Sequence, residues 1–360
     1  MGKTALITGG AGFIGSRLAH AISPDVDKVV VFDNLHPQVH GTNASPPPLP
    51  ANAVFVRGDV CDARGLHRAV LSHAPNLIFH LAAETGTGQS YDEPARYCDV
   101  NVMGTTHLIE ALRKLPKTTR RVILAGSRAV YGEGAYQAPG GAIIAGPVRT
   151  VEDLSRGAFE PIAASGEPLK PVPTPESLPP APASVYASTK LMQEYLLRQC
   201  ADAGDFELVL MRFQNVYGPG QSLKNPYTGV LSIFCSQIMD GKRLNIFEDG
   251  GIVRDFIYMD DVVQSLVAGA RAKTPPTGPV NVGSGYSASI LECAQTLLEL
   301  LGASRDNYTI TGAFRAGDIR HAVADISKAR ETLDWAPRTS LRDGLKALAT
   351  WARAERNASR

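Results

Sequence analysis

Six short apolar runs, TALIT, KVVVFD, AVFVRGD, NLIFHLA, RVILAGS and ELVLMRF, follow one another through the first 213 residues, with helical spacing between them at 12–22, 63–73 and 97–115. A strand that is apolar throughout has both faces buried, and helices between such strands act as crossovers. The pattern predicts an α/β fold built on a doubly wound parallel sheet.

Two stretches break the rhythm. Residues 36–50, with SPPPLP, read as a surface loop from their proline content. Residues 133–183 are rich in Gly, Pro and Ala with little periodicity, and a loop of that length inside a compact domain reads as an insertion. Beyond 215 the pattern changes to short strands mixed with helices, including 290–301 and 341–352. We therefore expect a nucleotide-binding domain over 1–214 and a smaller α/β substrate-binding domain over 215–360, with a segment near 252–270 returning to the first.

The net charge of +1 gives no electrostatic reason to expect nucleic acid or an anionic membrane, so an acidic ligand must be met by local arginines. The five cysteines, Cys61, Cys98, Cys200, Cys235 and Cys293, are scattered and lack C-x-x-C spacing, which argues against a disulfide framework or zinc knuckle. The histidines His36, His40, His67 and His73 show no metal-ligand spacing and read as solvent-facing, His80 as structural, and no metal is expected. The first strand begins too early for a signal segment, and no apolar stretch is long enough to span a membrane, so a cytoplasmic protein is expected.

ITGGAGFIGSRLA follows the first strand and opens the first helix. Gly9, Gly12 and Gly15, with Gly10, let the backbone turn tightly and let a diphosphate approach the helix N-terminus, with Phe13 and Ile14 between them. Asp33 ends the second strand 21 positions after Gly12, where a carboxylate can accept both ribose hydroxyls. It would repel a 2′-phosphate, and neither Phe32 nor Asn34 is basic. NAD is expected rather than NADP, in a Rossmann domain, with Asp59 and Val60 as candidates for the adenine edge.

SVYASTK places Tyr186 and Lys190 four apart on one helix face. Alone, that pair arises readily by chance. With the glycine loop and Asp33 ahead of it, and with HLAA, NVMGT, SRAVYG, RFQNVYGPGQ, RDFIYMDDV, NVGSG and GDIRHAVADISKARETLDWAP in order, the chain resembles the extended short-chain dehydrogenase/reductase family, whose members modify nucleotide sugars with bound NAD. The resemblance implies that Ser127 hydrogen-bonds the reacting hydroxyl, that Tyr186 is the acid/base, and that Lys190 binds the nicotinamide ribose and lowers the phenol's pKa. Further cofactor contacts are expected from Leu81, Ala82, Ala83 and Asn101. Substrate contacts are expected from Thr85, Arg128, Asn215, Arg254, Arg315 and Arg320 as well as Ser127. Trp335 reads as a core residue of the second domain, and the helices near 97–115 and 186–200 imply a homodimer.

Dehydratases of the family carry Thr-Asp-Glu where this chain has Ser127-Arg128-Ala129, so water elimination lacks its extra acid and base. What remains is redox chemistry at one carbon. The end of the insertion, FEPIAASGEPLKPVPTPE, looks like that of the nucleotide-L-rhamnose 4-epimerases, although IAASG replaces the cysteines of their pattern. The expectation is a 4-epimerase converting dTDP-L-rhamnose to dTDP-6-deoxy-L-talose through a 4-keto sugar. The alternatives are a UDP-hexose 4-epimerase, a dTDP-4-ketosugar reductase, or a non-enzymatic NAD-sensing scaffold.

Overall fold

The structure, a computed structural model, describes residues 2–223, 229–315 and 317–358. The apolar runs become strands β1 (Thr4–Thr8), β2 (Lys28–Asp33), β3 (Ala53–Arg57), β4 (Leu77–His80), β5 (Arg121–Ser127) and β6 (Glu207–Phe213), and β7 (Pro279–Val282) joins them. All seven are parallel, in the order β7-β6-β5-β4-β1-β2-β3. The order reverses between β1 and β4, so the crossovers from these two strands leave on opposite sides and open a crevice at their C-terminal ends.

Alternation along each strand divides the core in two. Ile7, Val31, Phe79 and Ile123 pack on one face with Leu18 and Ile22 of helix α1 (Gly15–Ile22), while Leu6, Val30, Ile78 and Val122 pack on the other with Leu108 and Leu112. Each such side chain, fully buried, contributes roughly 1.5–3 kcal/mol, which fixes the register of these four strands. A third core gathers helices Val230–Met239, Ile290–Leu300 and Leu341–Ala358 around Leu231, Leu297 and Leu348.

Three features differ from the sequence reading. Trp335 is 6% exposed but packs with Leu18, Ile7 and Val262 beside the central sheet, not in the third core, and its indole N–H donates to Asp261 O at 3.1 Å. The sheet also takes β7 from beyond the segment near 252–270. The insertion is structured: Ala135–Gln137 pairs antiparallel with both Ile143–Ala145 and Lys170–Pro171, and a short helix, Val151–Ser155, lies between those two partners in the chain.

The prolines at 179, 180 and 182 keep the chain extended up to Ser184, whose hydroxyl accepts the Ala187 N–H at 3.1 Å and starts helix Val185–Asp202. Such a cap contributes about 1 kcal/mol and here fixes where Tyr186 begins its turn. The helical spacing over 97–115 is a composite, a π-helical turn at Cys98–Met103 running into α-helix Gly104–Arg113. Among the described residues, no helix is long and apolar enough to cross a membrane.

Candidate active site

The crevice is one cavity of about 1090 Å³, running from the loop after β1 and the end of β2, past Ser127, Tyr186 and Lys190, to Arg254 and Arg315. Its first half is made largely of backbone. Gly9 has φ +68°, and a Cβ there would lie 2.7 Å from Ala82 N; a Cβ on Gly15 would lie 2.4 Å from Gly9 O. Only glycine allows α1, the first loop and the loop after β4 to come this close.

Asp33 is 7% exposed; Oδ2 accepts the Ala11 N–H at 3.0 Å and Oδ1 the Leu35 N–H at 2.8 Å. A carboxylate accepts about four hydrogen bonds, so this one is held in the cavity wall with capacity left for two hydroxyls. Burial pushes the Asp59 carboxyl up, but hydrogen bonds from Asn34 at 3.0 Å and Cys61 N–H at 2.8 Å outweigh it and leave it below the ordinary range. Gly12, Phe13, Ile14, Val60, Leu81, Ala82 and Ala83 complete this half of the lining. A glycine cradle at a helix N-terminus beside a fixed acid fits NAD, with Asp33 for the adenosine ribose.

The histidine reading requires correction. His36 and His40 line this cavity, and His40 Nε2 sits 3.6 Å from Asp33 Oδ1. His67 and His73 are partly buried, with ring nitrogens 2.9 Å from Lys114 Nζ and 3.1 Å from Lys28 Nζ. The proline-rich segment after β2 starts with a turn of helix, Pro37–His40, that covers the groove. Gln38 and Gln89 exchange amide hydrogen bonds there, and Arg96 bridges Gln38, Glu84 and Glu93.

At the centre, Ser127 ends β5 with its hydroxyl beside the Tyr186 phenol and accepting the Ala129 N–H at 3.2 Å, while the edge of Tyr97 meets the Tyr186 ring at 6.3 Å. Burial raises the phenol above its usual pKa, and the Ser127 hydroxyl opposes that. Lys190 is 3% exposed, and burial brings its ammonium down to about 8 against the pull of Glu194 one turn on. Glu194 is held by a two-point ion pair with Arg212 at 2.6 and 2.9 Å.

Beneath the site, His80 Nδ1 lies 2.7 Å from Thr8 Oγ1 and Nε2 lies 2.9 Å from Thr105 Oγ1. Burial lowers this ring to about 3, so it is a neutral strut at any working pH. Asn101 does not line the cavity, contrary to expectation. Its amide is occupied by Glu84 N, Glu84 O and Thr189 Oγ1, so it holds the loop after β4 in place.

In the second half, Thr85, Asn215, Arg254 and Arg315 line the cavity as expected. Arg254 donates to Asp318 Oδ1 at 2.7 Å, and the Arg315 guanidinium lies 5.0 Å over the Phe247 ring. Arg128 and Arg320 do not line it. Arg128 donates to Gly132 O at 2.6 Å, and burial beside Arg254 brings it down to about 10. Arg320, 2% exposed, is saturated by Glu160, Glu248 and Asp249, so its positive charge is neutralised away from the cleft. The sequence reading missed Asp318 and Phe247, although both stand next to residues it had singled out. Missed too were Arg17 and Arg96, for which spacing carries no signal.

Residues 6–139 match the family model described as GDP-mannose 4,6 dehydratase, and residues 162–283 match that of the NAD dependent epimerase/dehydratase family. The chain is 40% identical to a dTDP-L-rhamnose 4-epimerase of Burkholderia thailandensis over 98% of its length and 96% of the relative's. The UDP-glucose 4-epimerase of Thermotoga maritima, solved with UDP-glucose, superposes with a TM-score of 0.78 at 29% identity, covering 98% of this chain and 99% of that one. A UDP-glucuronic acid 4-epimerase of Bacillus cereus, solved with UDP-glucuronic acid and NAD, gives 0.76 at 27% identity with the same coverage of both chains. The chain belongs to the NAD-dependent epimerase/dehydratase family, within the extended short-chain dehydrogenases/reductases, and is an NAD-dependent sugar-nucleotide epimerase.

Proposed function

We propose that the enzyme inverts C4 of a nucleotide-linked 6-deoxyhexose, converting dTDP-L-rhamnose to dTDP-6-deoxy-L-talose through a 4-keto sugar. The single observation that carries the substrate assignment is the likeness to the Burkholderia thailandensis enzyme, which spans the chain and therefore includes the insertion at 133–183. The proposed domain division is 1–214 for NAD and mainly 215–360 for substrate, with catalysis where they meet. A cytoplasmic homodimer completes the reading.

NAD, when bound, supplies the hydride acceptor and donor at C4. The chain's own work is on the proton. Ser127 and Tyr186 hold the C4 hydroxyl between them, and Tyr186 takes its proton as the carbonyl forms, then returns it to the new hydroxyl. A free tyrosine titrates near 10, so a phenolate useful near neutral pH needs about 3 units, roughly 4 kcal/mol, and burial of Tyr186 adds to that demand. The Lys190 ammonium, buried one turn along the same helix, is the charge that the chain itself would bring to meet it. Arg254 and Arg315 neutralise the substrate diphosphate.

Dehydration is not favoured. Glu133 is the nearest carboxylate after Ser127 in the chain, and its Oε1 accepts from Arg320 N–H, His321 N–H and the Tyr136 hydroxyl, away from the cavity. With dTDP-L-rhamnose and no added coenzyme, the purified enzyme should produce the C4 epimer, seen by NMR. NADPH-dependent turnover of a dTDP-4-keto-6-deoxyhexose, with no turnover of dTDP-L-rhamnose, would make it a reductase, and turnover of UDP-hexoses alone would keep the mechanism but remove the rhamnose assignment.

A further inference from the structure

No residue of the 133–183 insertion lines the cavity among the described residues, yet three of its charged groups, Glu133, Arg149 and Glu160, reach the loop that does. Arg149 is buried, at 4% side-chain exposure. Its Nη2 donates to the main-chain O of Asp318 at 2.7 Å, and its Nη1 to Glu248 Oε1 at 2.8 Å and Phe159 O at 3.3 Å. Asp318 in turn accepts from Arg254 Nη2 at 2.7 Å. A chain of charge-assisted hydrogen bonds thus runs from the insertion through Asp318 to the arginine assigned to the diphosphate.

The same loop is gripped at both ends. Glu248 N–H donates to Ala313 O at 2.8 Å, while Glu133 Oε1 accepts Arg320 N–H at 2.6 Å and His321 N–H at 3.1 Å. Glu248 bridges the two guanidiniums, with Oε1 on Arg149 and Oε2 on Arg320 at 2.9 Å, and it does so at φ +52°. A non-glycine residue holds that backbone conformation only where its surroundings over-determine it. Glu160, the third insertion residue in the cluster, accepts from Arg320 Nε at 2.7 Å and lies 2.8 Å from His321 Nε2.

We infer that Arg149 is a positioning residue for substrate binding: from behind the cleft it fixes the loop carrying Arg315 and Asp318, and through Asp318 it sets the direction of Arg254. The inference rests on the assignment of Arg254 and Arg315 to the diphosphate. Arg149 touches neither cofactor nor substrate. It makes the insertion a brace for the substrate half of the site, with no part in holding NAD.

The test compares Arg149→Met, Arg149→Lys and, as a control on the exposed face of the insertion, Arg156→Met. Calorimetry with thymidine diphosphate and with uridine diphosphate reads the diphosphate site without turnover, and NAD content and Tm are measured on the same samples. Loss of a charge-assisted hydrogen bond to the loop should weaken diphosphate binding and raise KM by about 10- to 100-fold in Arg149→Met, with kcat changed far less and NAD content unchanged. Arg149→Lys should recover part of the loss, since an ammonium can reach one of the three acceptors, and Arg156→Met should match wild type. If Arg149→Met does not fold, the smaller binding loss in Arg149→Lys carries the test. A lower Tm with unchanged diphosphate affinity and KM would reduce Arg149 to a structural role. Failure of the wild type to bind either diphosphate would overturn the assignment of Arg254 and Arg315 themselves.

Discussion

The two halves of the cleft are built by different means. The NAD half is backbone geometry: glycines at Gly9 and Gly15 that admit no Cβ, and a strand-end carboxylate at Asp33 held by two main-chain N–H groups. The proposed substrate half is side-chain electrostatics: Arg254 and Asp318 line it as an ion pair, and behind them Arg149, Glu248 and Arg320, from widely separated segments, are held by one another's charges. The glycine loop and acid of the first lie within one strand–helix–strand unit, Thr4 to Asp33. The second exists only when the insertion, the 248 turn and the 312–321 loop have all arrived, so it can be altered without disturbing the first.

The largest effect tests what the halves share. Tyr186→Phe removes the proton acceptor at their junction and should cost at least the roughly 100-fold typical of general-base loss in kcat, with NAD still bound and substrate KM little changed. Loss of NAD in that variant would mean that the phenol is part of the cofactor cradle first and a catalyst second.

A smaller effect separates the halves. Asp33→Asn removes the charge proposed to accept the ribose hydroxyls and repel a 2′-phosphate, so NAD should bind about 10-fold more weakly and NADP relatively better, while diphosphate affinity stays at the wild-type value. This is the mirror image of Arg149→Met. Equal losses of cofactor and diphosphate affinity in either variant would show that the halves are not independent.

What was readable in the sequence follows the same division. The six apolar runs, the glycine loop and Asp33 depend on local spacing, and each has its expected place in the sheet or its crevice. Pro279–Val282 escaped because four residues led by proline carry too little pattern to be told from a turn. Trp335 was assigned to the wrong core because indole burial is legible but its partners are not: Asp261 and the sheet lie far away in sequence. Arg320 illustrates the limit most plainly. An arginine next to an expected diphosphate site reads as a ligand, and only three dimensions reveal Glu160, Glu248 and Asp249 around it. The insertion's hairpin was hidden by its small, proline-rich composition, which lacks the period-2 alternation of a half-buried strand.

The central claim is that one enzyme-held NAD serves both halves of a C4 inversion while Tyr186 handles only the proton. The direct test is dTDP-L-rhamnose deuterated at C4, incubated with the enzyme as purified and followed by NMR and mass spectrometry. The account predicts the C4 epimer with deuterium retained on C4 and no coenzyme added. Label lost to solvent, or turnover only with added coenzyme, would contradict it.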